Sequence, residues 1–225
     1  MNPETNVANS TADARAMEEQ IARIRRLVAP GGSEIGRSFA MLVDNLGALG
    51  RPARSIVVTG PERGVGRTTV CLGLGAALAA AGKKVAVVDC NLDRPHLHSC
   101  FGRPNFTGLT SALEGDRDLE NYGFEVAPNL RVISTGPVLS GSRALARSPK
   151  LVEAVRTLLE NRDVVLLDAP VVGEVLVAPN LWGSFDGVLL VVHATRTPKG
   201  VARGFIDNLL DARINLFGVV LNGHV

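Results

Sequence analysis

The sequence lacks several features that mark specialised classes of protein. Its three cysteines, Cys71, Cys90 and Cys100, have no C-x-x-C spacing, which argues against a disulfide framework and favours reduced thiols in a cytosol. The formal net charge is only +2 and the arginines are dispersed, which disfavours a general nucleic-acid binder. No apolar stretch is long enough to cross a bilayer, and the polar N-terminus has no signal-peptide core. We therefore expect a cytoplasmic protein that binds no nucleic acid.

The composition does provide for one sizeable hydrophobic core. Hydrophobic residues make up 46% of the 225 positions, which is enough for a single α/β domain with an additional N-terminal arm. We expect a disordered N-terminus over residues 1–12, a helical arm over 13–50 and a nucleotide-binding α/β domain over 51–225.

The most informative segment is a β-branched apolar run that leads into a glycine-rich turn and then into a small-residue helix. Backbone N–H groups around Gly64 and Gly66, followed by a helix N-terminus, would form a concave site that suits phosphates. Glycine permits both the turn and a close approach of phosphate to the backbone. A glycine-rich turn without a ligand is the alternative. The segment predicts nucleotide contacts from Arg63, Gly64, Val65, Gly66, Arg67, Thr68 and Thr69.

This loop departs from the general pattern G-x-x-x-x-G-K-[ST]. Its final glycine is Gly66, the first position falls on Pro61, and the lysine position holds Arg67. Thr68 keeps the hydroxyl that is expected to face Mg²⁺. Because a guanidinium is larger than an ammonium and prefers bidentate oxygen contacts, we expect nucleotide binding to survive better than catalysis.

Two further apolar runs end in acidic residues. Asp89 follows Val85–Val88, and Asp168 follows Val164–Leu167. Such runs fit parallel strands that are covered on both faces, and ligands gather at the carboxyl ends of such strands. Because Mg²⁺ takes one or two carboxylates beside phosphates, the sequence predicts both acids near the loop; a solvated strand end is the alternative for either.

The order of elements predicts the fold class. Strands alternate with helices along the chain, which implies right-handed crossovers. We expect an α/β protein with a mostly parallel central sheet and helices on both faces, as in P-loop NTPases. The later predicted elements are strands at 130–134, 164–168, 187–193 and 216–222, and helices at 149–160 and 199–212.

Four segments together resemble the bacterial tyrosine kinases, which are P-loop proteins of capsule and exopolysaccharide export related to the MinD/ParA ATPases. The segments are Gly64–Thr69, Val87–His98, Thr135–Pro137 and Leu167–Pro170. The run Leu-Asp-Arg-Pro-His-Leu-His within the second segment is the most specific. The resemblance extends from about Ser33 to Asn222.

The resemblance implies a cofactor, residue roles and a partner. It implies binding of ATP or ADP with Mg²⁺, with Arg67 on the phosphates and Thr68, Asp89 and Asp168 at the metal. If the protein is an enzyme, Arg67, Asp89 and Asp168 would be its catalytic residues, and Asp89 would polarise the acceptor or a metal-bound water. The implied partner is the cytoplasmic tail of a membrane-embedded polysaccharide co-polymerase, which would bring the protein to the inner membrane.

The sequence departs from the family's motifs at positions that would take part in phosphoryl transfer. Arg67 replaces the lysine and Asn91 replaces the second acid of a D-x-D motif, so we expect weakened phosphoryl transfer. The family's tyrosine-rich tail is also missing after Asn222, and Tyr122 is the only tyrosine, so we expect no self-phosphorylation of a tail. A catalytically inactive pseudokinase scaffold is therefore the alternative function. A MinD/ParA-type ATPase is a third, against which Glu62 holds the position of an additional lysine.

Assembly and docking signals lie near the N-terminus. The family's E-x-x-R-x-x-R subunit motif survives only as Glu34 and Arg37, with Ala40 in the last position, so a homo-oligomer of the family's ring type is questionable. An amphipathic helix is predicted over 13–28, where it would either dock on a membrane partner or surface, or pack on its own domain. A second helix is predicted over 33–49.

Three polar signals have open interpretations. His96, His98 and Cys100 form H-x-H-x-C, which fits a loop or helix start better than a metal site because no fourth ligand is nearby. His193 follows an apolar strand and is read as structural. Asn222 ends the last strand, and we expect its amide to contact the adenine ring, with a strand-ending turn as the alternative.

Overall fold

The computed structural model describes position 22 and residues 34–223. The central feature is a seven-stranded sheet with the order β3-β4-β2-β5-β1-β6-β7. Every neighbouring pair is parallel except β3 with β4. The strands are β1 Ser55–Thr59, β2 Val85–Asp89, β3 Gly123–Ala127, β4 Leu130–Ile133, β5 Val164–Asp168, β6 Gly187–His193 and β7 Leu216–Asn222.

Helices of very different length connect the strands. The longer ones agree with the sequence prediction to within about two residues at each end, whereas the short ones were not predicted. The helices are α1 Glu34–Gly47, α2 Arg67–Ala80, α3 Leu97–Cys100, α4 Leu109–Glu114, α5 Ser142–Ala146, α6 Pro149–Asn161, α7 Val172–Val175, α8 Pro179–Trp182 and α9 Lys199–Asp211. A 3₁₀ helix spans Leu119–Tyr122.

The sheet separates two apolar layers, which confirms the predicted fold class. The strands β1, β2 and β5 are buried along their whole length, as continuous apolar runs in a parallel sheet require. One layer holds α1 and α2, and the other holds α4, α6 and α9. Nearly unbroken apolar strands therefore fix the acidic strand ends at one edge of a rigid core.

The helix α1 packs against α2 across a glycine. A Cβ atom added at Gly73 would lie 2.1 Å from Cε2 of Phe39, so this position admits no side chain. Leu42 and Val43 also pack on this layer. The first helix of the described chain is thus part of the α/β body. The helix predicted over 13–28 lies outside the described residues, apart from position 22.

The strand β3 was missed by the sequence analysis. It is an antiparallel edge strand whose residues are half-buried except Glu125 at its centre, which is exposed. Glu125 interrupts its short apolar sequence, so the strand lacks the continuous apolar run that marks the inner strands. No helix of residues 34–223 is long and apolar enough to cross a membrane.

Candidate nucleotide-binding site

The glycine-rich turn joins β1 to α2 with two residues in the left-handed region. Gly64 has φ 75° and Gly66 has φ 96°, conformations that favour glycine. The first hydrogen bond of α2 runs from Val70 N–H to the Gly66 carbonyl at 2.9 Å. The backbone N–H groups that precede Val70 therefore have no partner within the helix, which is the arrangement that binds anions.

Arg67 is the most unusual side chain of this turn. Only 9% of the residue is exposed, and its Nη1 atom is buried with no hydrogen-bond partner among the described residues. Burial lowers the pKa of the guanidinium, while the nearby Asp168 raises it. A desolvated cation with an unsatisfied donor is costly unless an anion meets it. The position predicted to hold phosphates therefore presents a donor that fits one.

Thr68 and Asp168 form the predicted pair beside it. The Thr68 hydroxyl donates to Oδ2 of Asp168 at 2.6 Å, across 100 residues of sequence. Burial raises the pKa of Asp168 to about 6, opposed by the Thr68 hydrogen bond and by Arg67. A hydroxyl and a carboxylate in contact are the hard oxygen ligands that Mg²⁺ prefers. The structure thus brings the two predicted metal ligands together.

Asp89 lies opposite Asp168 in the sheet but has different partners. The two residues are in register between β2 and β5. Asp89 accepts N–H groups from Asn91 at 3.1 Å, His96 at 3.0 Å and Leu97 at 3.0 Å. Burial, then the charge of Asp168, raise the pKa of Asp89 to about 7, despite these hydrogen bonds. Asp89 therefore organises the loop that follows its own strand.

A pocket of about 400 Å³ opens beside the turn. Its wall contains most of the predicted loop residues together with residues that the sequence analysis did not select. Among the latter, Arg94 adds a cation and Glu174 an anion, and Asn91 faces the same space. The predicted residues in the wall are Arg63, Gly64, Gly66, Arg67, Thr68 and Thr69. The predicted residues Val65, Asp89, Asp168 and Asn222 do not line this pocket.

The end of β7 and the segment that follows β6 also donate hydrogen bonds to the glycine-rich turn. Asn222 Nδ2 donates to the Val65 carbonyl at 2.8 Å, and a Cβ atom added at Gly66 would lie 2.0 Å from the same nitrogen. Arg196 Nη2 donates to the Gly64 carbonyl at 2.6 Å. The Asn222 amide is therefore next to the turn, and its contact with adenine stays a prediction.

Two missed residues carried weak signals in the sequence. Arg94 lies within the Leu-Asp-Arg-Pro-His-Leu-His run, where it could have been assigned to the pocket with the residues around it. Glu174 follows Asp168 by six positions and has no motif of its own. It forms an ion pair with Arg147 at 3.6 Å, and burial, followed by the neighbouring Asp93, raises the pKa of its carboxyl. Only the packing of α7 beside the turn reveals it.

The histidine and cysteine run has no metal-site geometry. His96 and Ser99 lie at the start of α3, where the Ser99 hydroxyl is 3.1 Å from His96 Nδ1. Residues 34–223 contain no group of three or more His, Cys, Asp and Glu side chains arranged to hold a metal ion. All three cysteines are buried and unbonded to one another. The loop or helix-start interpretation agrees with these contacts.

Comparison with known families agrees with the assignment of a nucleotide-binding fold. Residues 56–224 match the model of the CobQ/CobB/MinD/ParA nucleotide binding domain. The chain belongs to this family. Its fold and its glycine-rich turn are thus those of a family named for nucleotide binding.

Within this family, the related sequences include proteins that are named as tyrosine-protein kinases. EpsB of Ralstonia nicotianae, whose name assigns it provisionally to the tyrosine-protein kinases, is 36% identical over 168 residues. That match covers 74% of this chain but only 22% of EpsB, so the chain spans about a fifth of that relative. The tyrosine-protein kinase YwqD of Bacillus subtilis is 28% identical over 177 residues, which are 78% of this chain and 75% of YwqD. The predicted resemblance to bacterial tyrosine kinases is confirmed.

Solved structures agree with this. The VpsO kinase domain has a TM-score of 0.74 and 25% identity, over 84% of this chain and 96% of that one. A cobyrinic acid a,c-diamide synthase of Mycobacterium smegmatis, solved with an ATP analogue and magnesium, has a TM-score of 0.60. At 22% identity, over 75% of this chain and 72% of that one, it shows the shared fold alone.

Proposed function

We propose that this chain is an ATP- or ADP-binding domain of the bacterial tyrosine-kinase type, with weakened phosphoryl transfer, that serves exopolysaccharide or capsule biosynthesis and export. The observation that carries the proposal is the buried, unsatisfied Arg67 Nη1 at the start of α2. Family membership and the kinase names of the relatives support it. The polysaccharide role rests on the resemblance of motifs described above.

Nucleotide phosphates fit the site on three grounds. The left-handed Gly64 and Gly66 allow a close approach to the backbone. The start of α2 contributes free N–H groups and the positive end of the helix dipole. Arg63 and Arg94 line the same pocket and add positive charge around Arg67. A phosphate oxygen would give Arg67 Nη1 the acceptor that it lacks among the described residues.

Magnesium fits the Thr68 and Asp168 pair. The two side chains provide a hydroxyl and a carboxylate in contact, and Mg²⁺ completes its shell with waters and phosphate oxygens. The metal would supply charge neutralisation at the phosphates. Thr68 and Asp168 would hold it, and Arg67 would orient the phosphates.

The arrangement also explains why we expect weak catalysis. Asn91 faces the pocket where a second carboxylate is expected, and Asp89 behind it is engaged with three N–H groups. An Asp89 carboxylate held in this way is less available to polarise an acceptor. These contacts favour the second candidate, a pseudokinase scaffold that acts on its partner by binding nucleotide or by binding alone.

We extend the proposal to partner and location on the same resemblance. The chain would act in the cytoplasm, at the inner membrane, by contacting the cytoplasmic tail of a membrane-embedded polysaccharide co-polymerase. A homo-oligomer is part of this proposal, although only Glu34 and Arg37 of the subunit motif are present.

Nucleotide binding is tested first by calorimetry of the full chain with ATP and ADP in the presence of Mg²⁺. We expect saturable binding that Arg67→Met weakens at least about tenfold, equivalent to about 1.4 kcal/mol. Arg203→Met, a change of the same kind on the exposed face of α9, should leave affinity unchanged. The absence of binding by the unaltered chain would refute the proposed function.

Phosphoryl transfer is tested separately. The chain is incubated with labelled Mg-ATP, alone and with the cytoplasmic tail of a candidate co-polymerase, and phosphotyrosine and released phosphate are measured beside Arg67→Lys. A chain that binds nucleotide but transfers no phosphate, with activity gained in Arg67→Lys, identifies the scaffold. Robust transfer by the unaltered chain identifies the kinase.

A further inference from the structure

A second groove lies between α6 and the segment 177–184, outside the nucleotide pocket. Its volume is about 520 Å³. We call it the α6 groove and define it by Arg147, Val152, Glu153, Arg156, Val177 and Leu181. None of these residues belongs to the proposed nucleotide site.

The α6 groove has an apolar floor and an apolar rim. Leu181 is only 8% exposed and Val152 is half-buried. Val177 is 69% exposed and stands beside them. A single exposed valine is ordinary, but one that borders an apolar groove extends a surface that can cover a partner's side chain.

The charges around the groove favour an acidic ligand. Arg156 is exposed and forms no ion pair within residues 34–223. The carboxylate of Glu153 is already paired with Arg117 at 2.5 Å, and Arg147 has only a 3.6 Å contact with Glu174. One full positive charge is therefore uncompensated along the groove.

One lining residue of the α6 groove also lines a crevice next to the nucleotide pocket. Arg147 borders both the α6 groove and a small crevice that contains Asp93, Arg143 and Glu174. Glu174 in turn lines the nucleotide pocket. The α6 groove itself, about 520 Å³ between one helix and the segment 177–184, fits an extended chain better than a globular surface.

The chain's own N-terminal region is a poor occupant. Arg23, Arg25 and Arg26 follow one another closely in the segment predicted to be amphipathic. With Arg15, and with Asp13, Glu18 and Glu19, the segment carries four cations and three anions. Because it has no excess of negative charge to match the uncompensated Arg156, charge complementarity argues for an acidic ligand from another protein.

We propose that the α6 groove binds an extended acidic peptide segment of a partner protein, with an apolar side chain seated between Val152 and Val177. Arg147 and Arg156 would pair with its carboxylates. The proposal requires no nucleotide, so it goes beyond the proposed function and can succeed or fail independently of it.

The test is fluorescence anisotropy of the full chain without nucleotide, using three fluorescein-labelled dodecapeptides. One contains glutamates with two leucines, the second replaces the leucines by serine, and the third replaces the glutamates by lysine. We expect saturable binding of the first, with affinity about tenfold above that of either other peptide. Val177→Asp and Arg156→Glu should each weaken it about fivefold or more, because they oppose the apolar and the ionic contact.

The matched control is Arg203→Glu, which makes the same charge change on an exposed residue of α9. It should alter binding less than twofold, and circular dichroism should show all three variants folded. Equal binding of the three peptides, or equal weakening by Arg203→Glu, would overturn the proposal. So would sedimentation that shows a dimer of this chain lost in Val177→Asp, since a second copy would then occupy the groove.

Discussion

Asp89 and Asp168 are the same residue at the same register of neighbouring strands, yet they have different contacts. Asp168 accepts a hydrogen bond from the hydroxyl of Thr68 at the start of α2. Asp89 receives three backbone N–H groups from its own following loop. The end of each strand sets where the carboxylate lies, whereas the segment that packs against it decides whether its hydrogen-bond partner is a side chain or the backbone.

The largest expected difference is in stability. Asp89→Ala leaves three backbone N–H groups without their acceptor, so we expect the free energy of unfolding to fall by about 3 kcal/mol. Asp168→Ala removes one hydroxyl contact and should cost about 1 kcal/mol. Urea denaturation at pH 7.5 measures both, and equal losses would show that the two acids do not differ in this way.

The pH dependence tests the raised pKa values of the pair. The pKa of Asp89 is raised to about 7 and that of Asp168 to about 6, so the folded state binds more protons than the unfolded state above the ordinary carboxyl pKa near 3.8. This contribution to stability is therefore present near pH 4 and is lost as the pH rises to about 7. At about 1.4 kcal/mol for each unit of pKa shift, the two raised values correspond to a loss of about 6 kcal/mol over that range.

Asp168→Asn provides the control for this pH dependence. The variant removes one titrating group and the charge that raises the pKa of Asp89. The decline between pH 4 and pH 7 should shrink accordingly when unfolding is followed by urea titration at each pH. A wild-type decline that persists undiminished in the variant would assign it to other groups.

Magnesium dependence separates the two acids next, provided that the proposed nucleotide site is correct. Asp168→Asn should lower ADP affinity about tenfold with Mg²⁺ and leave it unchanged with EDTA, because the metal loses a carboxylate ligand. Asp89→Asn, if folded, should change the Mg²⁺ effect less than twofold. A loss as large in Asp89→Asn would instead support the metal role predicted for Asp89 from the sequence.

The smallest expected effect concerns Asn91, which faces the pocket in front of Asp89. Asn91→Asp restores a carboxylate near the proposed metal, so we expect the Mg²⁺-dependent gain in ADP affinity to rise about threefold. Calorimetry with and without EDTA measures it. Asn208→Asp, at an exposed position of α9, is the matched control. A gain there too would indicate a general charge effect.

The sequence was most predictive where one physical pattern dominated. Continuous apolar runs located β2 and β5, and the acids that end them were placed correctly at one edge of the sheet. Glycines predicted the left-handed turn at Gly64 and Gly66. The turn depends on residues that are neighbours along the chain, and the strands depend on burial in a parallel sheet. The sequence shows the first as glycines and the second as continuous apolar runs.

The remainder depends on contacts between distant segments. The three N–H groups that meet Asp89 come from a loop whose path no spacing specifies. Glu174 reaches the pocket only because α7 packs beside the phosphate loop. The edge strand β3 forms by antiparallel pairing with β4, and its own residues give little sign of it. Such features require the tertiary structure.

Hydrogen bonds from the segment after β6 and from the end of β7 to the glycine-rich turn have a kinetic consequence for ligand binding. Arg196 donates to the Gly64 carbonyl, and Asn222 donates to the Val65 carbonyl. The Thr197 hydroxyl donates to the Glu62 carboxylate at 3.0 Å. The loop is thus already ordered when a ligand arrives, so the entropy of ordering it is lost during folding rather than during binding. Association should accordingly proceed as a single fast phase, without a slow step of loop rearrangement.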